Sequence, residues 1–195
     1  MKKPEIIFII GGPGVGKGTI CGYLRSDYPD KIITFSTGDI LRSVVREKKI
    51  EGWEQLDLDM KKGNLINSDR ILFYLKESIL SCQNKAIIID GFPRNFENLN
   101  LWDKTMQNIA EIKSVFYFEG SHEIMMKRIH KRKYGRDDDK NDDIINKRIE
   151  IFEKETKPLI DIFEKRGNII RINCKNDFDK IYSDVKNALK ELKVI

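Results

Sequence analysis

The stretch GGPGVGKGT at residues 11–19 constrains this chain more than any other, because it follows directly on the apolar run IIFII at residues 6–10. Bulky apolar residues ending in a glycine-rich turn predict a buried strand that feeds a phosphate-binding loop. Gly11, Gly12, Gly14 and Gly16 let backbone N–H groups converge on an anion. A helix is expected to open at about Gly16, with free N–H groups and a dipole that favour phosphate, and Lys17 adds a mobile ammonium for the β- and γ-phosphates of a nucleotide. The usual pattern sets Ser or Thr directly after the lysine, whereas here Gly18 intervenes and Thr19 follows. A turn with an incidental lysine is the plain alternative. The preceding strand, the glycines, Pro13 and Lys17 in register favour nucleotide binding.

A chain of 195 residues has room for one large domain, or a core with a small insertion, and can bury a sizeable interior. The formal charge is +5, but acidic and basic residues are interleaved along most of the chain. That mixture favours small phosphate anions over nucleic acid as partners. Cys21, Cys82 and Cys174 show no metal spacing, so reduced thiols packed as small hydrophobes are expected. The apolar part of the first ten residues is short and carries Glu5, which argues against a secretory leader. No run of about eighteen apolar residues predicts a membrane span. A cytoplasmic protein is the default expectation.

Helices are expected over residues 19–28, from Thr37 past Arg42 with Ser36 or Thr37 as cap, over 54–62 closed by Gly63, over 69–82, and over 96–107. Residues 32–35, 86–89, 115–118 and 169–172 read as further strands. Met125, Arg128 and Ile129 fall on a helix between the last two, and Phe178, Ile181, Val185 and Leu192 form the apolar stripe of a closing helix. Strands alternating with helices predict an α/β fold, a parallel sheet covered on both faces, with ligands at the carboxyl ends of its strands. Residues 132–143 break the pattern: they are nearly devoid of apolar side chains and hold Arg132, Gly135, Arg136, Asp137, Asp138 and Asp139. A polar surface loop is the ordinary explanation; beside a nucleotide site, an arginine-bearing lid fits better.

Transfer of a phosphoryl group demands positioning and neutralisation of oxygen charge, for which the planar fork of Arg is suited. Arginines fall in three places near predicted strand ends: Arg42, Arg94, and the group Arg128, Arg132, Arg136 and Arg148. That number suits two phosphate-bearing substrates facing each other. Asp90, at the end of a predicted central strand, is the candidate to hold hydrated Mg²⁺, with a plain turn aspartate as the alternative.

GGPGVGKGT, STGDILR at 36–42, DGFPRN at 90–95 and GRDDD at 135–139 together resemble the nucleoside monophosphate kinases of the adenylate kinase family in the short-lid form, in the right order over nearly the whole chain. The resemblance implies one P-loop NTPase domain over 1–195, with a five-stranded parallel core, an acceptor-binding region at about 37–76 with mobile helices, and a short lid at about 132–143. It implies ATP and a nucleoside monophosphate as substrates, Mg²⁺ as cofactor, and a monomer. Gly12, Pro13, Gly14, Val15, Gly16, Lys17, Gly18 and Thr19 would bind ATP, with Arg128 near its adenine. Thr37, Arg42, Gly91, Arg94 and Asn98 would hold the acceptor. Lys17, Arg132, Arg136 and Arg148 would act on the transferring group, Arg132 toward ATP, Arg136 and Arg148 toward the acceptor. Asp90 would support magnesium through water, and Thr19 is a second contact to consider.

Residues 91–106, with Asn95, Asn98, Leu99, Trp102 and the triplet Lys104, Thr105 and Met106, resemble the UMP/CMP kinases more than the adenylate kinases. Asn98 stands where the AMP enzymes carry a base-reading glutamine, and a shorter amide suits a pyrimidine, although a plain surface helix residue is the alternative. Thr37 pulls the other way, since pyrimidine enzymes commonly have Ala there. Ile20 departs from a usual glutamine, the span 132–136 is a little shorter than in the relatives, and the acidic part before Arg148 a little longer. UMP or CMP is the expected acceptor, with AMP as the alternative. A P-loop binding protein that senses nucleotide is the reading from another class, and it has no need of Arg42 and Arg94. A nucleic-acid-dependent ATPase would carry a basic stripe or stacking aromatics that are not evident here.

Overall fold

Strands buried on both faces read as unbroken apolar runs, and the central strand of this fold is built that way. In β1 (Glu5–Gly11), Ile6, Ile7, Phe8 and Ile9 are all fully buried although their side chains point alternately to opposite faces. The computed structural model describes residues 3–82, 85–132, 139 and 141–195. Among them β1, β2 (Ile32–Ser36), β3 (Ala86–Asp90), β4 (Glu111–Glu119) and β5 (Ile169–Asn173) form one sheet in the order β2-β3-β1-β4-β5. Every neighbouring pair is parallel. The sequence thus crosses from one side of β1 to the other after β3, and the crevice at the carboxyl ends opens beside β1.

Helices supply the cover: α1 (Lys17–Asp27), α2 (Thr37–Arg46), α3 (Trp53–Lys61), α4 (Ser68–Leu80), α5 (Phe96–Thr105), α6 (His122–His130), α7 (Asp142–Ile151), α8 (Leu159–Lys165) and α9 (Phe178–Glu191). Their starts follow the expected capping chemistry: the side chains of Ser36, Asn67, Asn95 and Asp177 accept from the N–H of Asp39, Arg70, Asn98 and Lys180. An aromatic cluster fixes the loop after β3. Phe92 and Trp102, both 1% exposed, meet Phe8 edge-on at ring separations of 5.7 and 4.9 Å, so Trp102 is a packing residue.

Two stretches depart from the sequence expectation. β4 begins at Glu111 rather than at residue 115, because its polar start pairs with the start of β1 and Lys113 reaches Glu5 at 2.6 Å. Residues 142–165, for which no element was predicted beyond the polar segment, form α7, a π-helical turn at Phe152–Thr156, and α8. Arg136 and the rest of 133–138 lie outside the described residues, so the expected lid is described only at Arg132, Asp139 and 141–143. Among the described residues no helix is long and apolar enough to cross a membrane.

Candidate active site

The site begins where β1 runs out. Gly14 has φ +81°, and a Cβ there would lie 2.6 Å from the carbonyl oxygen of Met125, so only glycine lets the loop pass α6. α1 starts from Gly16 without a side-chain cap, which leaves its first N–H groups facing the crevice. Lys17 donates to the carbonyl oxygens of Gly11 and Gly12 at 2.7 and 2.8 Å, which holds its ammonium across the loop. Asp90, in register with Ile9 of β1, turns its carboxylate toward Gly18 at the start of α1.

Arg128 sits behind this loop. Its guanidinium donates to the carbonyl oxygens of Val15, Cys174 and Asn176 at 2.8, 2.8 and 3.2 Å, and so ties the phosphate loop to the turn between β5 and α9. Burial pushes the neighbouring Cys174 thiol up to about 11 and, with Asp90 adding to it, the Cys21 thiol higher still. Both are inert fillers at neutral pH.

The other end of the crevice is built from α2 and the loop after β3. Arg94 donates through Nε to the Gly91 carbonyl oxygen at 2.9 Å, and the hydroxyl of Thr156 donates to the Arg94 carbonyl oxygen at 2.6 Å. Arg42 folds back over Gly38 and pairs with Asp39. Thr37 is 2% exposed, and its hydroxyl lies within reach of the carbonyl oxygens of Gly91 at 3.0 Å and Asp90 at 3.3 Å. Asn98 is 1% exposed: it accepts from the Arg94 N–H at 2.9 Å and donates to Ser68 at 2.7 Å. Both side chains brace the loop after β3 from behind, and neither is a surface residue.

Between the two ends a continuous groove of about 530 Å³ runs from Gly14, Lys17 and Thr19 to Asp39, Gly91 and Arg94. Arg132 and Arg148 line the same groove, as do Phe152 and Leu65. The two arginines share one carboxylate: Asp139 accepts from Arg132 at 2.6 Å and from Arg148 at 2.7 Å, its side chain 2% exposed. Burial alone would push the Asp139 carboxyl up, but the hydrogen bond from Arg148 and the charge of Arg132 outweigh it and hold it below the usual range.

The groove therefore gathers Lys17, Thr19, Asp90, Gly91, Arg94, Arg132 and Arg148. Val15, Thr37, Asn98 and Arg128 stand behind it, Arg42 pairs beside it, and Arg136 lies outside the described residues. Three contributors went unread in the sequence. Asp139 stood in an acidic run with no role attached to it. Phe152 and Thr156 belong to the helical stretch 142–165, where Ile145, Ile149, Phe152, Thr156, Leu159 and Phe163 repeat at three- and four-residue steps, a signal that was available.

Fold and groove define a P-loop phosphotransferase. A sequence model of the family described as adenylate kinase matches residues 9–168. The chain is similar to the UMP-CMP kinase of Danio rerio, 34% identical with 97% of this chain and 98% of the relative covered. It is similar also to UMP-CMP kinase 1 of Oryza sativa subsp. japonica, 36% identical over 98% and 76%, and to the UMP-CMP kinase of Homo sapiens, 32% identical over 94% and 95%. The chain belongs to the adenylate kinase family, the ATP-dependent nucleoside monophosphate kinases.

Proposed function

We propose that this kinase transfers the γ-phosphoryl group of ATP to UMP or CMP, giving ADP and the pyrimidine nucleoside diphosphate. The observation that carries this reading is one groove lined by Lys17 and Thr19 of the phosphate loop, by Arg94, and by Arg132 and Arg148, cationic groups enough to seat two phosphates for transfer. The relatives named UMP-CMP kinase support the pyrimidine acceptor. Thr37, the residue that spoke for AMP, spends its hydroxyl on the Gly91 and Asp90 carbonyl oxygens, which supports a structural role for it.

In this reading Gly12, Pro13, Gly14, Val15, Gly16, Gly18 and Thr19 shape the donor loop, and Lys17 leaves its carbonyl partners for the β- and γ-phosphates. Arg42 and Arg94 hold the acceptor phosphate. Arg132 and Arg148 exchange Asp139 for the transferring oxygens, whose charge they neutralise, and Arg136 joins them from the lid. Asn98 acts on the acceptor by fixing the Arg94 backbone against Ser68. The donor set fits Mg²⁺: Asp90 and Thr19 are hard oxygen ligands lining the groove, and the described residues hold no cluster of three metal-binding side chains. Asp90, through water, and Thr19 would hold the ion, which keeps most of its waters and so asks for few protein ligands. It would supply charge neutralisation on the β- and γ-oxygens.

The test is ATP consumption by the purified chain with Mg²⁺ and UMP, CMP, AMP or GMP at equal concentration. A rate with UMP or CMP at least about tenfold above AMP is expected, the scale on which pockets discriminate. Preference for AMP overturns the pyrimidine reading, and no acceptor-dependent turnover overturns the two-substrate site.

A further inference from the structure

The helix that carries Arg148 also touches the acceptor arm. Lys147, one residue before it on α7, donates to Asn64 Oδ1 at 2.6 Å across the space between α7 and the α3–α4 turn. Asn64 is held for this contact from its own side: its amide nitrogen donates to Asp59 Oδ1 at 2.9 Å, and its backbone N–H to the Asp59 carbonyl oxygen at 2.9 Å. Asp59 in turn accepts from Gln55 at 3.1 Å. Beside Asn64, Gly63 turns at φ +68°, and a Cβ there would lie 2.8 Å from Arg148 Cγ. The stem of Arg148 therefore packs flat on the backbone of the turn, and Gly63 lines the groove together with Arg148. The phosphate loop receives its own contact from the same helical run further on, where Phe152 packs against Gly12.

We infer that Asn64 and Lys147 are positioning residues that couple the acceptor arm to Arg148, so that a nucleotide seated in the arm sets the arginine that meets the transferring phosphoryl group. The inference rests on the reading of the groove as a two-substrate kinase site. Neither residue touches substrate; both act through the placement of α7 on the Gly63 turn. Loss of the contact leaves each nucleotide able to bind alone and weakens the step that needs both.

The experiment is a double-mutant cycle on the full chain with ATP, Mg²⁺ and UMP, using Asn64→Ala, Lys147→Met, the double variant and Lys147→Arg. Each single substitution is expected to lower kcat about three- to tenfold, the net scale of one ordinary hydrogen bond, with ATP affinity measured in the absence of acceptor unchanged. The double variant falls no further than the worse single one, and Lys147→Arg, which keeps a cationic donor, stays within about twofold of the parent. A lowered melting temperature with kcat intact, or losses that multiply in the double variant, overturns the coupling. If the parent protein shows no turnover that depends on UMP, CMP or AMP, the two-substrate reading itself falls and the coupling falls with it. Normal parent turnover with unaffected variants sinks the coupling alone.

Discussion

At the scale of single residues, the site separates side chains that line the groove from those buried behind it, a distinction that residue type alone does not make. Lys17 and Arg148 line the groove, whereas Thr37 is buried and its hydroxyl donates to main-chain carbonyl oxygens. Lys17→Ala and Arg148→Ala are therefore each expected to cut kcat on the order of a thousandfold, about 4 kcal/mol of transition-state stabilisation. Near-normal turnover at saturating substrate would show either role to be misassigned. Thr37→Ala is expected to change the ratio of kcat/KM between UMP and AMP by less than about threefold, because no atom is removed from the groove, and to cost about 1 kcal/mol of stability for the lost hydrogen bond. A large swing toward pyrimidine acceptors would place that hydroxyl against the base. Motif position marked Thr37 and Asn98 as acceptor residues; only the fold shows that Asn98 joins Ser68 to the Arg94 backbone. Sequence spacing carries the backbone register of a motif, but not the rotamer that decides what a short polar side chain touches.

At the scale of elements, strands and caps were the most legible, since apolar runs and Ser, Asn or Asp before a helix are local signals. The stretch Asp142–Lys165 was the least legible, because polar residues crowd its start and hide the three- and four-residue apolar steps that carry on through a π-helical turn. That turn has a use. It brings Phe152 against Gly12 of the phosphate loop and Thr156 onto the Arg94 carbonyl oxygen, so one segment touches both ends of the groove. Thr156→Val keeps the shape and removes the donor, leaving a carbonyl oxygen unpaired at a cost of about 1–3 kcal/mol. The expected result is a several-fold rise in acceptor KM, with ATP KM unmoved and a modest fall in melting temperature. Equal changes in both KM values would mean that Thr156 supports the groove as a whole rather than the acceptor arginine.

At the scale of the whole molecule, the carboxyl edge of the sheet concentrates cationic side chains that would repel one another without an anion among them. Arg132, just after α6, and Arg148 on α7 come from different elements, and Asp139 is the charge that both share. A chain of net charge +5 gains additional positive charge as pH falls, so the protonation of this carboxylate matters to stability as well as to geometry. Its folded pKa is depressed: burial opposes ionisation, but the Arg148 hydrogen bond and the Arg132 charge prevail. A depressed carboxylate contributes stability above its unfolded pKa of about 3.9 and loses it as pH falls through the lower folded value. Asp139→Asn keeps the shape and removes the charge, and should cost about 1.5–3 kcal/mol at neutral pH, the range for hydrogen bonds to charged groups. Denaturant unfolding of both proteins across pH should give a constant difference from neutral pH down to about pH 5, closing only below about 3.9. A gap that did not close below about 3.9, or one that widened as pH fell from neutral, would mean that the fold does not depress this carboxyl, and that the arginines are held by something other than this shared carboxylate.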